Sequence, residues 1–177
     1  MANELPLISP DKFHDECAVF GIYGHKEAAN LAYLGLYALQ HRGQEASGIV
    51  SNDGEQFYVE KGQGLVADIF SQQALARLPG TMAIGHNRYS TAGGAGLKNV
   101  QPLSVNFAFG NLAVAHNGNL INATMLRSEL EAYGAIFQST SDTEVIIHLI
   151  AHSRADTLLD RVIDSLTQVR GAFSVVL

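Results

Sequence analysis

The sequence predicts an α+β fold in which helices pack on layered antiparallel sheets. Strand-like apolar segments are joined by tight turns, the clearest being Asn-Asp-Gly-Glu at 52–55, and such hairpins pair their strands antiparallel. Helical segments are interspersed among these hairpins, which disfavours a doubly wound parallel sheet. The chain has 177 residues, of which 47% are hydrophobic, and shows neither an internal repeat nor a clear linker. One domain with its own core is therefore expected.

Each predicted element in the first half of the chain rests on periodicity or on a terminating residue. Apolar runs bounded by glycine predict strands, and apolar side chains three and four residues apart predict helices. The expected core face of the first helix carries Leu31, Leu34, Ala38 and Leu39, and Gly43 is expected to end that helix. The elements are a buried strand at 17–23, a helix at 26–40, strands at 46–51 and 56–60, a short helix from a Ser71 cap to Leu78, and a strand at 81–88.

In the second half, a hairpin is predicted across Gly110-Asn111, and capping side chains mark two helix starts. Asn122 can cap one helix, and Ser141 with Glu144 matches a capping box for the next. The elements are strands at 105–109 and 112–116, helices at 122–133, 141–152 and 157–169, and a strand at 172–177. Because an unfinished apolar strand is an aggregation hazard, we expect this chain to be a fragment of a longer one.

Composition disfavours several classes of function. The formal net charge is −6, and the 11 Lys and Arg residues are scattered rather than clustered, so a nucleic-acid partner is not expected. No apolar run approaches the length of a membrane span. A single cysteine suits a reducing compartment, which predicts a cytoplasmic protein.

That cysteine, Cys17, cannot form an internal disulfide or a cysteine metal cage. It is either a small buried hydrophobic residue or a nucleophile. Residues 1–16 lack the features of a secretory signal and are either a frayed terminus or a removable propeptide. If the chain is cut after Glu16, the α-amine of Cys17, with a reference pKa of about 7.7–8.0, can act as the base. While Glu16 is attached, that nitrogen is an amide and cannot accept a proton.

Four polar, glycine-containing clusters stand at the ends of predicted elements, where a scaffold presents a site. The clusters are Gln-His-Arg-Gly-Gln-Glu at 40–45, Gly-His-Asn-Arg-Tyr-Ser-Thr-Ala-Gly at 85–93, Ala-His-Asn-Gly-Asn-Leu at 115–120, and Ser-Thr-Ser-Asp-Thr-Glu at 139–144. Together with Glu-Cys-Ala-Val-Phe-Gly at 16–21, they resemble the class II (N-terminal nucleophile) glutamine amidotransferases, and most closely the amidophosphoribosyltransferase family. The resemblance implies a four-layer αββα sandwich of antiparallel sheets. It further implies a propeptide at 1–16 and a glutaminase domain at 17–177, incomplete at its C-terminus and without a phosphoribosyltransferase domain.

The resemblance also implies a role for each site residue. Cys17 would be the nucleophile, and the Asn117 side chain with the Gly118 N–H would form the oxyanion hole. A plain Asn-Gly turn is the alternative for that pair. Arg42 and Gly43 would line the nucleophile and help to orient its amine, unless they are only a helix stop.

The remaining implied roles concern the substrate. Arg88 would bind the α-carboxylate of glutamine and Asp142 its α-ammonium, although Asp142 could instead be an acid favoured by a helix dipole. Thr91 and Gly118 would be further glutamine contacts. Residues 88–99 would form a lid over bound glutamine, or an ordinary surface loop.

No metal site is expected in this segment. Glu144, His148 and His152 share a helix face, but Leu149 stands where a zinc-binding His-Glu-x-x-His motif needs glutamate. The family implies Mg²⁺, and in some members an iron–sulfur cluster, only for the region beyond this chain. The implied partners are glutamine, the phosphoribosyltransferase domain of the same parent chain, and further copies of the full-length protein in a homo-oligomer.

The leading hypothesis is therefore the glutaminase half of an amidophosphoribosyltransferase. Glutamine would be hydrolysed through a thioester on Cys17, and the ammonia would be passed to phosphoribosyl pyrophosphate to make 5-phosphoribosylamine in purine synthesis. Two alternatives remain open. One is the glutaminase domain of another class II amidotransferase, such as a glucosamine-phosphate synthase or an asparagine synthetase, and the other is a non-catalytic glutaminase-like domain that binds a partner.

Overall fold

Two antiparallel sheets form the centre of the structure, a computed structural model that describes residues 17–89 and 96–177. The predicted propeptide, residues 1–16, lies outside the described residues, as does much of the predicted lid. The strands are β1 (Ala18–Tyr23), β2 (Ala46–Asn52), β3 (Phe57–Gln63), β4 (Met82–Arg88), β5 (Leu103–Phe107), β6 (Gly110–Leu120) and β7 (Gly171–Val176). The helices are α1 (Ala28–Ala38), α2 (Val66–Ile69), α3 (Gln72–Leu75), α4 (Ala123–Ala132), α5 (Thr143–His152) and α6 (Leu158–Gln168), with 3-10 turns at Gln40–Arg42 and Leu97–Asn99.

The described residues form one four-stranded sheet in the order β1-β4-β2-β3 and one three-stranded sheet in the order β5-β6-β7. Every neighbouring pair is antiparallel, which confirms the predicted fold class. The hairpin predicted at 52–55 joins β2 to β3, and the side chain of Asp53 accepts hydrogen bonds from the backbone N–H groups of Glu55 and Gln56. A turn held by its own aspartate fixes the register of that strand pair.

The two sheets face each other, and helices cover their outer faces. One core cluster joins α1 and α2 to the four-stranded sheet through residues such as Leu36 and Ile49. A second cluster joins α4, α5 and α6 to the three-stranded sheet through residues such as Val114 and Ile146. The layers therefore run helix, sheet, sheet, helix, as the family resemblance implied. Among the helices of the described residues, none combines the length and apolarity needed to cross a membrane.

The predicted core face of the first helix was wrong for two of its four residues, while the other two, Leu31 and Leu39, are half-buried. Leu34 is 56% exposed and Ala38 is also exposed, whereas the fully buried residues are Ala28, Ala29, Ala32 and Leu36. The reason is the close approach of the helix to β1, since a Cβ on Gly35 would lie 2.5 Å from the ring of Phe20. The small side chains of Ala28, Ala29 and Ala32 permit this approach, and the fully buried Leu36 packs beside Gly85, where a Cβ would lie 2.8 Å from its Cδ1.

Two predicted helix caps were also wrong, because each side chain bonds a more distant segment. Asn122 does not cap α4; its amide donates to the Gln168 carbonyl (2.9 Å) and accepts from the Arg170 N–H (2.8 Å). Glu144 does not complete a capping box with Ser141. Its carboxylate accepts from the N–H of Gln138 (2.8 Å) and the N–H of Ser139 (2.7 Å), which folds residues 138–141 back over the start of α5.

Other boundaries shifted for local reasons. Helix α1 ends at Ala38, and Gly43 instead follows the 3-10 turn at Gln40–Arg42 in an extended conformation with φ −164°. The strand predicted at 17–23 is an edge strand rather than a fully buried one. The β5–β6 hairpin turns at residues 108–109, because Phe107 pairs with Gly110, and β6 continues as far as Leu120.

The contact between Gly35 and Phe20 makes a testable prediction about this packing. Overpacking a core typically costs about 1–3 kcal/mol, whereas alanine gains up to about 1 kcal/mol over glycine in helix propensity. Gly35→Ala is therefore expected to lower the free energy of unfolding, measured by urea denaturation. In a Phe20→Leu background, where the ring is absent, the same change should cost less. Equal costs in the two backgrounds would contradict this account of the packing.

Candidate active site

A cavity of about 520 Å³ lies where β4, β6 and the start of α5 meet. Its wall is built from both sheets, because β4 belongs to the four-stranded sheet and β6 to the three-stranded one. The lining is Cys17, His86, Arg88, Tyr89, Asn99, Gln101, His116, Gly118, Asn119, Leu120, Ala123, Thr124, Arg127, Thr140, Ser141, Asp142 and Val145. The structure thus brings Cys17, Arg88, Gly118 and Asp142 to one cavity, although they are far apart in sequence.

Cys17 immediately precedes β1 and is held by its backbone. Its carbonyl accepts a hydrogen bond from Nε of Arg42 (3.1 Å), which places Arg42 beside the nucleophile candidate. Its Sγ lies 3.5 Å from the N–H of Tyr89 and 3.7 Å from the Tyr89 carbonyl. With φ +51°, Cys17 is the one non-glycine residue of the described part of the chain in the left-handed region. Such a conformation costs energy and persists only where the surrounding contacts hold it.

Arg88, the last residue of β4, lines the cavity and carries a donor without a partner in the described part of the chain. Its Nη1 is buried and has no hydrogen-bond partner among the described residues, and its Nε lies 3.8 Å from Oε2 of Glu45. A buried guanidinium with an open donor favours binding of a carboxylate. Gly43 supports this arrangement from behind, since a Cβ there would lie 2.8 Å from the Arg88 backbone carbon.

Asp142 stands at the N-terminus of α5, but its side chain makes no helix-capping hydrogen bond. Its Oδ2 accepts from the Leu120 N–H (3.1 Å), and its Oδ1 lies 3.5 Å from Nδ1 of His116. Burial alone would raise the pKa of this carboxyl. The hydrogen bonds from His116 and from the Leu120 and Thr143 backbone outweigh burial and place the pKa of Asp142 below its ordinary value. The group is therefore an anion at neutral pH.

The Asn117-Gly118 pair lies inside strand β6, not in a turn. Gly118 pairs with Phe173 and has φ +137°, and a Cβ there would lie 2.3 Å from the Ala172 carbonyl oxygen. Only glycine meets both constraints at this position. Gly118 lines the cavity, whereas the half-buried Asn117, paired with Ser174, is not among the lining residues.

Two histidines that the sequence analysis left without a role lie between these groups. His86 and His116 are both buried, and Nε2 of His86 is 3.1 Å from the His116 carbonyl, which requires Nε2 to be protonated. Burial, with smaller contributions from the nearby His116 and Arg88, lowers the pKa of His86 to about 3. Each histidine stands near the end of an apolar strand and beside a proposed site residue, which is the one sequence signal that could have singled them out.

The structure describes only part of the predicted lid. Thr91 and residues 90–95 of the predicted lid lie outside the described residues. The base of that loop is tied to the cavity wall, because Asn99 and Thr140 exchange two hydrogen bonds of 3.0 Å. Among the described residues, no three His, Cys, Asp or Glu side chains group in a way that could hold a metal ion.

Comparison with known proteins identifies the family to which this chain belongs. Residues 86–177 match the sequence family described as "Glutamine amidotransferase domain". The chain belongs to this family. It is also 55% identical over 167 residues to the amidophosphoribosyltransferase of Rhizobium etli, covering 94% of this chain and 34% of the relative. Identity to the Bacillus subtilis amidophosphoribosyltransferase is 52% over 165 residues, covering 93% of this chain and 35% of the relative.

Solved structures agree with the sequence comparison. The structure described as the allosteric regulatory enzyme of purine biosynthesis matches with a TM-score of 0.86 and 52% identity, covering 89% of this chain and 34% of that one. Glutamine phosphoribosylpyrophosphate amidotransferase from B. subtilis, complexed with ADP and GMP, matches with a TM-score of 0.84 and 51% identity, covering 89% of this chain and 34% of that one. The amidotransferase resemblance and its four-layer fold are thereby confirmed. The chain spans about a third of the length of these relatives.

The buried His86 predicts a particular acid sensitivity. Its pKa is about 3 in the folded protein and about 6.5 in the unfolded chain, so between these values the unfolded state binds more protons. Its contribution to stability is complete above pH 6.5 and is lost as the pH falls toward 3, by up to about 1.4 kcal/mol per pH unit. His86→Gln should flatten the slope of unfolding free energy against pH, measured in urea between pH 7 and 5. His41→Gln, on an exposed side chain, is the matched control, and an equal change of slope in the two variants would contradict the assignment.

Proposed function

We propose that this chain is the glutaminase part of an amidophosphoribosyltransferase and hydrolyses free glutamine through a thioester on Cys17. The observation that carries the proposal is the cavity itself. A thiol, a buried guanidinium with an open donor, an anionic carboxylate and the Gly118 backbone all line it. These are the groups that amide hydrolysis of an amino acid requires.

The charges of the cavity fit the α-substituents of a free amino acid. Arg88 binds the α-carboxylate, and Asp142 binds the α-ammonium group. A glutamine residue within a peptide carries neither charge, so this pair selects the free amino acid. Because both side chains are largely screened from water, the pairing is stronger than at an exposed surface. The side-chain amide of the bound glutamine is then available to react with the thiol of Cys17.

The reaction proceeds in two balanced steps. The thiol of Cys17 gives its proton to a base, and the sulfur attacks the amide carbon, forming a C–S bond and a tetrahedral oxyanion. The N–H of Gly118, which lines the cavity, donates to that oxyanion, and the adjacent Asn117 side chain is the second donor that the family resemblance implies. The base returns the proton to the amide nitrogen, the C–N bond breaks and ammonia leaves. Water then attacks the thioester, glutamate departs, and the thiol regains its proton.

The base is the α-amine of Cys17, which exists only if residues 1–16 have been removed. The proposed mature domain is therefore 17–177, with 1–16 as a propeptide. The hydrogen bond from Arg42 to the Cys17 carbonyl supports this role, because it fixes the backbone that carries both the thiol and the amine. Thr91 adds a glutamine contact, and residues 88–99 close over the bound substrate.

The proposal extends to the parent protein. Its phosphoribosyltransferase domain uses the ammonia to convert phosphoribosyl pyrophosphate into 5-phosphoribosylamine for purine synthesis. Mg²⁺, and in some members an iron–sulfur cluster, would be held by that part of the protein. An iron–sulfur cluster needs several cysteine thiolates, and this chain has Cys17 as its single cysteine. The full-length protein is proposed to be a cytoplasmic homo-oligomer. Relatives named amidophosphoribosyltransferase support this choice over other class II amidotransferases.

The nucleophile is tested by glutamate release together with intact mass. The full chain should convert to a species that begins at Cys17, and that species should release glutamate and ammonia from glutamine. Cys17→Ala should abolish release, because no thioester can form. The control is unfolding by urea, which should show both proteins folded. A folded Cys17→Ala variant with undiminished release would refute the enzyme assignment and favour a partner-binding domain.

The proposed binding of the glutamine α-carboxylate by Arg88 is tested by a substitution that keeps the positive charge. Arg88→Lys loses the bidentate geometry, and hydrogen bonds to charged groups are worth about 1.5–3 kcal/mol, so KM for glutamine should rise about 10- to 100-fold while kcat changes much less. Arg77→Lys is the matched control, because Arg77 pairs with Glu60 on an exposed surface. If the two variants have the same KM, Arg88 does not bind the substrate.

A further inference from the structure

Gln101 stands at a break in the three-stranded sheet. The β5–β6 ladder begins with Leu103 opposite Val114, and the same register would place Gln101 opposite His116. The Gln101 backbone is directed elsewhere, since its carbonyl oxygen would lie 2.2 Å from a Cβ on Gly48 in β2. The backbone N–H and carbonyl of His116, on the side of β6 that faces β5, therefore need other hydrogen-bond partners.

The side chain of Gln101 supplies that partner. Its Oε1 accepts from the His116 N–H (2.7 Å), and its Nε2 donates to the His116 carbonyl (3.2 Å). A carboxamide has the same donor and acceptor as a peptide group, so it reproduces the missing rung of the ladder. Gln101 is only 7% exposed, which makes both bonds difficult to replace by water.

The His116 carbonyl has a second donor from the other sheet, Nε2 of His86 at 3.1 Å. Three hydrogen bonds from two side chains thus fix the peptide groups on either side of His116. The peptide group between His116 and Asn117 immediately precedes the proposed oxyanion donors, the Asn117 side chain and the Gly118 N–H. Gly118 has φ +137°, outside regular strand geometry, although its pairing with Phe173 continues the β6–β7 ladder. The bonds from Gln101 and His86 therefore act on these peptide groups in addition to that ladder.

We propose that Gln101 is a positioning residue. Its carboxamide, together with His86, orients the His116–Asn117 peptide and so aims the Asn117 and Gly118 donors at the developing oxyanion. This inference rests on the proposed glutaminase function. It assigns Gln101 no contact with the reacting atoms, and it separates the orientation of the oxyanion donors from binding of glutamine by Arg88 and Asp142.

The kinetic test is a split between kcat and KM in the processed chain. Gln101→Glu keeps the acceptor for the His116 N–H but turns an anionic oxygen toward the His116 carbonyl. Loss of one oxyanion donor costs about 100- to 1,000-fold in kcat, so a misdirected donor should cost about 10- to 100-fold, with KM for glutamine within about threefold. Gln73→Glu adds the same charge at an exposed position and is the control. An unchanged kcat in Gln101→Glu overturns the proposal, and so does a rise in KM that accounts for the whole loss of kcat/KM.

A second readout does not depend on activity. In Gln101→Met, which lacks both bonds, amide hydrogen exchange at His116 should accelerate at least about tenfold, as expected for a backbone N–H that has lost its partner. The amide resonance of Gly118 should also shift, while exchange at Leu112, which pairs with Val105 in the same β5–β6 ladder, stays the same. An unshifted Gly118 resonance overturns the proposal. If the wild-type chain releases no Cys17-dependent glutamate, the proposed function fails, and these resonances alone decide whether Gln101 orients the peptide.

Discussion

The hydrogen bond between His86 and the carbonyl of His116 joins the two sheets where the candidate site is built. Strand β4 reaches Arg88 two residues after His86, and strand β6 reaches Gly118 two residues after His116. Because side chains alternate along a strand, His86 and Arg88 are directed to the same side of β4. This contact between layers therefore helps to set the position of the guanidinium relative to the Gly118 backbone.

A histidine serves this purpose because it can donate a hydrogen bond while remaining neutral. His86 is completely buried, and burial keeps its pKa near 3. A charged donor at the same place would carry a large desolvation penalty and would repel Arg88. Gln101, the second donor to the His116 carbonyl, is also neutral. At this point the contact between the sheets is thus polar without carrying net charge, and charged side chains such as Arg88 and Asp142 line the cavity beside it.

The opposite charges of the cavity are kept apart by their own supports. Asp142 is held by the Leu120 N–H and faces His116, whereas Arg88 has Glu45 beside it. Neither charge neutralises the other, since the structure pairs them with different neighbours. A ligand that carries both an anionic and a cationic group satisfies them together, which is the physical basis of the proposed preference for free glutamine.

The sequence by itself determined the α+β class, nearly every strand and helix, and the polar clusters from which the cavity is built. These features depend on local periodicity, turn residues and the order of motifs, all of which are written along the chain. Tertiary structure alone decided which face of α1 is buried, because Phe20 packs directly on Gly35 and Leu36 packs on Gly85 of the sheet. It also decided that Glu144 holds residues 138–139 rather than a helix cap, and that Gln101 replaces a rung of β6. Each of these outcomes is set by a partner outside the local pattern, five or six residues away for Glu144 and fifteen for Gln101. The pattern of neighbouring residues does not specify such a partner until the layers have packed.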